Sequence, residues 1–286
     1  MSQCYGPLAA RYDALTGDVP YEALETWYET AFAHSGRAVH TVLDLCCGTG
    51  TLSLLLAEHG YEMICVDASE EMLSVFQQKL CELPEGVVAP MLLCQRAEKL
   101  DLYDTVDAAV CSLDGVNYMR PETLPEVFRR LHLFLSPSGT LCIDFLSPGH
   151  MRSLDGQCFV DEEDDTLCLW RSEVVENELR YGMDIFRRIK GQTYRREQEE
   201  HTEYIYTPET LEKHLVDAGF GSIRLFTDGP QHNQGRLFFT AECVKEDKET
   251  NASLVQREVA KPQVLTEGLQ TVACFVKRQS LSQPYG

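Results

Sequence analysis

The segment Val42–Gly50 contains the residues best suited to ligand chemistry. Its sequence, Val-Leu-Asp-Leu-Cys-Cys-Gly-Thr-Gly, ends an apolar run in Asp44 and continues into a loop with Gly48 and Gly50. Loop glycines allow a ligand to approach the backbone closely. A second acid, Asp67, ends the next apolar run, where a carboxylate can accept hydrogen bonds from two ribose hydroxyls. The pair of acids therefore predicts a ligand that contains a ribose.

Two classes of ligand use such a strand, glycine loop and helix. A dinucleotide binds through Gly-x-Gly-x-x-Gly with its pyrophosphate on the helix N-terminus. Here the third glycine is replaced by Ser53, and Asp44 would repel the anion. S-adenosylmethionine has no phosphate and carries a cationic ammonium and a sulfonium, which an acid at this place favours. The residues favour S-adenosylmethionine, and a nicotinamide oxidoreductase is the less favoured alternative.

Together with Val66-Asp-Ala-Ser-Glu-Glu-Met-Leu73, the first segment resembles the class I S-adenosylmethionine-dependent methyltransferases. The resemblance covers roughly residues 1–150 and 207–243. It implies a Rossmann-like α/β fold with a seven-stranded, mostly parallel sheet whose last strand is antiparallel. Ala10-Arg-Tyr-Asp13 resembles an element of the small-molecule subgroup that includes sugar amine methyltransferases. In that subgroup the tyrosine covers the cofactor.

Cofactor contacts are expected from the glycine loop, the ribose-binding acid, the adenine-side residues and the end of the fourth strand. The expected set is Tyr12, Asp44, Cys46, Gly48, Gly50, Asp67, Ala68, Met72, Arg96, Ala97 and Ser112.

Two positions depart from the family pattern. The first loop glycine is Cys46, whose side chain is small enough for binding to survive. The acid that usually meets the adenine amino group is Arg96, and arginine cannot accept a hydrogen bond. We therefore expect apolar contacts from Ala68, Met72 and Ala97 to hold the adenine. Arg96 would either stack on the purine or, as we favour, point to solvent.

The candidates for catalysis are Tyr12, Asp114, Tyr118 and His150. Asp114 and Tyr118 follow the fourth predicted strand, where the family lines its methyl-transfer site. An amine acceptor needs only deprotonation and alignment, whereas a hydroxyl or a carbon acid needs a stronger base. His150 and Asp114 are the candidates for that base, and a solvated loop histidine is the simpler interpretation of His150.

The elements that position these residues alternate between strand and helix from residue 39 to residue 145. Such alternation predicts a parallel sheet with right-handed crossovers. Residues 158–206 instead alternate polar and apolar side chains, which predicts an antiparallel meander. Strand and helix then return over residues 208–243. We expect a methyltransferase domain of residues 1–149 and 207–244, an inserted substrate-side lid of residues 150–206, and a linker and C-terminal extension of residues 245–286.

The meander has two features that bear on the acceptor. Its inward face is expected to include Phe159, Leu169, Tyr181 and Met183, or the residues that alternate with them, and the acidic run Asp161–Asp165 is expected to be a turn. It also carries six arginines, which would imply an anionic acceptor if they faced inward and otherwise balance nearby glutamates. These arginines are Arg171, Arg180, Arg187, Arg188, Arg195 and Arg196.

Composition narrows the class of protein. The 286 residues include 45 acidic and 25 basic side chains, a formal charge of −20, which argues against non-specific binding to nucleic acid or an anionic membrane. No apolar run approaches a membrane span, and the N-terminus lacks a signal-peptide pattern, so we expect a cytoplasmic protein. The 12 cysteines show no metal-ligand spacing. They are expected to be reduced, mostly buried thiols, with no metal site.

We therefore predict a methyltransferase that acts on a small molecule, at nitrogen or oxygen. A non-catalytic S-adenosylmethionine-binding sensor or partner protein is the alternative from another class. Methylation of nucleic-acid bases is disfavoured because Ser112-Leu-Asp-Gly115 differs from the motif typical of base-amine methylation. The sequence leaves both a monomer and a homodimer open.

Overall fold

The computed structural model describes residues 6–163 and 165–245. Residues 246–286 lie outside this range, so most of the predicted linker and the C-terminal extension fall outside the described residues. The helices are α1 (Gly6–Ala9), α2 (Tyr12–Leu15), α3 (Tyr21–Ala33), α4 (Thr51–Glu58), α5 (Glu70–Lys79), α6 (Leu124–Phe134), α7 (Pro148–Ser153) and α8 (Pro208–Asp217). The strands are β1 (Thr41–Leu45), β2 (Glu62–Asp67), β3 (Met91–Cys94), β4 (Val106–Cys111), β5 (Leu135–Leu146), β6 (Cys158–Glu163), β7 (Thr166–Val175), β8 (Glu178–Lys190), β9 (Thr193–Tyr204), β10 (Phe220–Phe226) and β11 (Arg236–Cys243).

Seven strands form the main sheet, in the order β10-β11-β5-β4-β1-β2-β3. Strands β1 to β5 pair in parallel, and β11 pairs antiparallel with both β5 and β10. The predicted Rossmann-like, mostly parallel sheet is therefore confirmed. The chain reverses strand order between β1 and β4, the kind of switch point where open α/β sheets bind ligands.

The sheet is buried on both faces because its central strands are apolar at consecutive positions. Ala109 and Cys111 of β4 join a core with α6 and α8, whereas Ala108 and Val110 join a second core with α3, α4 and α5. Helix α5 begins at Glu70, and the Ser69 hydroxyl before it accepts a hydrogen bond from the Met72 amide at 3.1 Å.

The other four strands form an antiparallel sheet in the order β6-β7-β8-β9, as the polar–apolar alternation predicted. Two predictions within it were wrong. Residues 161–163 belong to β6 and pair with β7 rather than forming a turn. Leu169 pairs with Asp184 while Trp170 pairs with Met183, so Leu169 lies on the face opposite Met183, because successive side chains of a strand alternate.

The inner face of this meander carries Cys168, Tyr181, Met183 and Ile185. Cys168, Met183 and Ile185 pack with Leu8 of α1 and with Tyr12, and Tyr181 packs against a neighbouring cluster around Met151. Phe159, also predicted to face inward, pairs with Trp170 and so shares the face of Met183, but it is 41% exposed because it lies on the edge strand. The six arginines of the meander pair with nearby acids or with Tyr194; Arg171 and Arg196, for example, both reach Asp184. The structure therefore gives no support to an anionic acceptor bound by inward arginines.

Three features differ from what local sequence favours. Strand β5 runs from Leu135 to Leu146 without a break, although it contains Pro137-Ser-Gly139, which is typical of a turn. His150 lies on the short helix α7 rather than in a loop. Cys94, predicted to be a buried thiol, is exposed because β3 is the edge strand of the sheet. Within the described residues, no helix has the length and apolar character needed to cross a membrane.

Candidate functional site

A cavity of about 580 Å³ opens at the carboxyl ends of β1, β2 and β4. Its wall contains ten of the eleven residues predicted to contact the cofactor, together with Tyr118 from the catalytic candidates. The ten are Tyr12, Asp44, Cys46, Gly48, Asp67, Ala68, Met72, Arg96, Ala97 and Ser112. Parallel strands bring their carboxyl ends to one edge, which explains why residues distant in sequence meet here.

Asp44 lies at the inner end of the cavity and is 2% exposed. Its Oδ2 accepts a hydrogen bond from the Ser53 hydroxyl at 2.5 Å. Burial raises the pKa of Asp44 to about 7, the Ser53 hydrogen bond opposes this rise, and the nearby carboxyls of Asp67 and Asp144 add to it. A cationic ligand group at this place would favour the ionised carboxylate.

The loop after β1 keeps a backbone conformation that suits glycine. Cys46 has φ 63°, in the left-handed region, although it is not glycine, and such a conformation costs about 1–2 kcal/mol for a residue with a Cβ. Gly48 has φ 55° and no heavy atom within 4 Å of where a Cβ would be, so the backbone there is open to a ligand. Gly50, the remaining predicted cofactor contact, is not among the residues that line the cavity. A Cβ at this position would lie 2.2 Å from the Phe76 ring, so this glycine permits close packing of α5.

Asp67 ends β2 with both carboxylate oxygens bound to backbone amides. Oδ2 accepts from the Gly48 amide at 2.9 Å, and Oδ1 accepts from the Ser69 amide at 2.8 Å. Each oxygen retains a second lone pair, so the fixed carboxylate can still accept hydrogen bonds from two adjacent hydroxyls. Burial raises the pKa of Asp67, and the backbone amides oppose that rise.

The outer part of the cavity is lined by Ala68, Met72, Arg96 and Ala97. Met72 is buried, and the Arg96 side chain is 53% exposed and pairs through Nε with Glu98 Oε1 at 2.6 Å. Glu70, Glu71 and Glu98 line the same cavity, and Glu98 balances the charge of Arg96. Ala68, Met72 and Ala97 supply apolar atoms that an aromatic ring could contact.

The N-terminal segment closes over the glycine loop through Asp13. Its Oδ1 accepts hydrogen bonds from the hydroxyls of Thr49 at 2.5 Å and Thr51 at 3.2 Å, and its Oδ2 pairs with Lys79 at 2.6 Å. These bonds hold α2, and with it Tyr12, against the cavity. Burial raises the pKa of Tyr12 above its ordinary value, so its phenol stays protonated at neutral pH.

The loop after β4 is held in an unusual conformation. Leu113 and Asp114 have φ of 52° and 69°, and strain of this kind persists only where the surroundings enforce it. The fully buried carboxylate of Asp144 accepts hydrogen bonds from the amides of Leu113 at 3.0 Å and Asp114 at 3.4 Å and from the Tyr28 hydroxyl at 3.0 Å. Asp144 therefore organises the loop that faces the expected methyl group.

A guanidinium balances the acids at this loop. Arg236 of β11 is 6% exposed and pairs through Nη1 with Asp114 Oδ1 at 2.6 Å and with Asp144. Burial raises the pKa of Asp114, and Arg236 opposes the rise. His150 lies close enough to Asp114 and Arg236 for both charges to act on it, but burial dominates and lowers its pKa. Asp114 and His150 thus lie beside the cavity and not in its wall.

Tyr118 connects the cavity to the meander. It lines the cavity, and its ring meets His201 of β9 edge-on at 6.0 Å between centroids. Its hydroxyl lies near the Glu203 carboxyl group of β9 and opposes the rise in the pKa of that group. The preceding residue, Asn117, ties the same loop to β5 and β9, since its Oδ1 accepts from the Leu146 amide at 3.0 Å and its Nδ2 donates to the Tyr204 carbonyl at 3.0 Å. The meander therefore packs directly against the loop that follows β4.

Sequence reasoning missed Tyr28, Asp144, Glu203 and Arg236, all of which are buried polar residues of this site. Asp144 offered the one usable signal, an acid inside the apolar run of β5. Glu203 lies in β9, which has many other charged residues, and Arg236 is the first residue of the mostly apolar strand β11. No local pattern distinguishes either residue as part of a site.

One group outside the cavity also brings together side chains of the types that bind metals. Among the described residues, Glu25 and Glu29 of α3 lie with His59 after α4, and His59 Nδ1 is 2.8 Å from Glu25 and 3.2 Å from Glu29. Ion pairing between the imidazole and these carboxylates explains the arrangement, and we assign no metal to it.

Comparison with known proteins places the chain among methyltransferases. A family model described as a methyltransferase domain matches residues 42–139. The Bacillus subtilis (strain 168) protein named "Putative methyltransferase YqeM" is 33% identical over 250 residues, which cover 84% of this chain and 98% of that protein.

Two solved structures share the fold. An S-adenosylmethionine-dependent methyltransferase from Clostridium acetobutylicum matches with a TM-score of 0.73 and 24% identity over 84% of this chain and 99% of its own. The sugar N-methyltransferase KedS8 from Streptoalloteichus sp. matches with a TM-score of 0.70 and 22% identity over 82% of this chain and 93% of its own.

Proposed function

Because the chain belongs to the class I S-adenosylmethionine-dependent methyltransferases, we propose that it methylates a small molecule, at nitrogen or oxygen. The observation that carries the proposal is the polar group of Asp114, Tyr118, His150 and Arg236 at the cofactor cavity, in which Asp114 pairs with Arg236 and Tyr118 contacts His201 of the meander. A small polar site beside the meander suits a compact acceptor better than a polymer. The name of the structural relative KedS8, a sugar N-methyltransferase, supports the same class of acceptor.

S-adenosylmethionine supplies a methyl group already activated on a sulfonium, so the protein mainly has to align the acceptor and exclude water. We assign the methionine ammonium to Asp44, the ribose hydroxyls to Asp67, and the adenine to the apolar surface of Ala68, Met72 and Ala97. Tyr12 covers the cofactor, because Asp13 beside it is bonded to Thr49 and Thr51 of the glycine loop and α4.

On the acceptor side, residues 150–206 act as the lid predicted from the sequence. The Leu8 amide donates to Glu199 of β9 at 2.7 Å, so the segment that covers the cofactor and the lid are joined. Burial raises the pKa of Asp114 although Arg236 opposes the rise, but Asp114 is engaged with Arg236 and is not among the residues that line the cavity, so we do not assign it as the general base. Tyr12 and Tyr118 both line the cavity and contact the lid. Tyr118 belongs to the loop after β4, and we assign it to the acceptor side.

The proposal is tested by supplying S-adenosylmethionine with an isotopically labelled methyl group. The purified protein is incubated separately with small amines and alcohols, including amino sugars, with total RNA, and with total protein. We expect the label in the small-molecule fraction and release of S-adenosylhomocysteine. Label confined to RNA or protein would refute the proposed acceptor class. Tight cofactor binding without turnover in any fraction would favour the alternative of a non-catalytic sensor.

A further inference from the structure

Glu203 is a buried acid that the cofactor chemistry leaves unexplained. It lies near the end of β9, is 4% exposed, and its Oε2 has no hydrogen-bond partner among the described residues. The Tyr118 hydroxyl lies near its carboxyl group and favours the ionised form. A buried polar atom without a partner costs about 1–3 kcal/mol, and native proteins rarely retain one without a reason.

The surroundings of Glu203 contain more acid than base. Asp114 and Tyr118 face it from the loop after β4, Arg236 from β11, and Tyr181 from β8. Asp144 and His150 lie behind Asp114, and His201 and Glu199 precede Glu203 on the same face of β9. His201 is paired with Glu199, and Arg236 is shared between Asp114 and Asp144. Within the part of the chain that the structure describes, Glu203 is thus left as a carboxyl without a cation of its own.

We propose that the acceptor is an amine that enters as an ammonium ion, and that Glu203 receives its proton through the Tyr118 hydroxyl. The inference rests on the small-molecule function proposed above and names its acceptor class. Tyr118 is the group that touches the acceptor, since it lines the cavity. Glu203 acts through Tyr118 and is a positioning residue.

The proposed step balances in protons and electrons. The Tyr118 hydroxyl passes its proton to the Glu203 carboxylate and takes one from the ammonium, which leaves a neutral amine with a lone pair. That lone pair forms a bond to the methyl carbon as the carbon–sulfur bond breaks, and the bonding electrons stay on sulfur. The products are a methylated ammonium and the neutral thioether of S-adenosylhomocysteine, with Glu203 protonated.

The acid–base character of Glu203 agrees with this role. Burial raises its pKa well above the ordinary value for glutamate, and the charge of Asp114 adds to that rise. A carboxylate whose pKa is raised is a stronger base, which brings it closer to the pKa of an alkyl ammonium. Cations in the site, the sulfonium and the ammonium, favour its ionised form before the transfer.

The test uses sinefungin, an analogue with an amine in place of the sulfonium methyl, so that its ammonium points toward the acceptor site. Its dissociation constant is compared with that of S-adenosylhomocysteine by calorimetry on the full chain. We expect the wild-type protein to prefer sinefungin, and Glu203→Gln to lower that preference about tenfold, the effect of losing the carboxylate charge that lies behind Tyr118. The matched control is Glu200→Gln, because Glu200 is exposed on the opposite face of β9, and it should keep the wild-type preference.

A pH series separates a proton acceptor from a merely structural residue. The wild-type preference for sinefungin should fall as the pH is lowered and Glu203 is protonated, whereas the preference of Glu203→Gln should not change with pH. Protonation of Asp44 changes the affinity for sinefungin and for S-adenosylhomocysteine alike, so it cancels in the ratio of the two dissociation constants. An unchanged preference in a folded Glu203→Gln protein would overturn the inference. Methylation of alcohols in preference to the matched amines would also overturn it, whereas label found only in RNA or protein would overturn the proposed function itself.

Discussion

Asp44 is expected to release a proton when the cofactor site is filled. Its pKa of about 7 in the ligand-free protein reflects burial beside Asp67 and Asp144, and a bound methionine ammonium would restore its ionised form. S-adenosylhomocysteine should therefore bind with proton release at low pH. Its affinity should fall about tenfold for each pH unit below 7 and should level off above about pH 8.

The size of the release follows from the titration of a single group. With a pKa of about 7, Asp44 is about 90% protonated at pH 6 and about 10% protonated at pH 8.

The effect of pH on the stability contributed by Asp44 is the opposite of the usual effect for an acid, because its pKa in the folded protein is above the unfolded value of 3.8. The ligand-free protein should lose stability from this group as the pH rises from about 4 to 7, and the ligand should restore it.

The assay is isothermal calorimetry with S-adenosylhomocysteine in two buffers of different ionisation enthalpy, at pH 6 and pH 8. The dependence of the observed enthalpy on the buffer gives the number of protons released. Asp44→Asn should bind more weakly and release almost none. Ser53→Ala should move the midpoint to higher pH, since the Ser53 hydroxyl stabilises the carboxylate. Binding that is independent of pH, without proton release at pH 6, would refute the assignment of Asp44 to the ammonium.

Three further predictions concern single substitutions. Arg96→Asp should increase discrimination against purine analogues that lack the amino group, by about 0.5–1.5 kcal/mol; unchanged affinities for such an analogue and for S-adenosylhomocysteine would show that residue 96 does not face the adenine. Arg236→Met should lower the free energy of unfolding in urea by about 3–5 kcal/mol, because Asp114 and Asp144 lose their common cation. A loss below about 1 kcal/mol would contradict the charge balance described above. Cys46→Gly should leave stability unchanged or raise it by up to about 1 kcal/mol, because glycine adopts φ 63° without strain, and a clear fall in melting temperature would contradict this.

Local patterns in the sequence were sufficient to predict the succession of strands and helices along the chain. Strands β1 and β4 are buried on both faces and have consecutive apolar residues, whereas β8 and β9 are buried on one face and alternate polar and apolar residues. Each pattern involves only residues that are neighbours in the sequence, so it can be recognised without the structure. The same patterns failed where a strand lies at an edge or continues through turn residues. Strand β6 is largely exposed and therefore lacks an apolar signature, and β5 continues through Pro137 and Gly139 because pairing with β4 and packing override local turn preference.

The two acids Asp44 and Asp67 could be found from sequence because each ends a predicted strand at a motif of fixed spacing. Their surroundings were decided by the tertiary structure. Asp144 bonds Tyr28 across 116 positions of the chain, and Arg236 reaches Asp114 across 122. Contacts at such separations depend on strand order and register, which no local window contains. The left-handed conformations of Cys46, Leu113 and Asp114 likewise arise because distant groups hold these loops in place, so sequence determined the cofactor motif while tertiary packing determined the acceptor side.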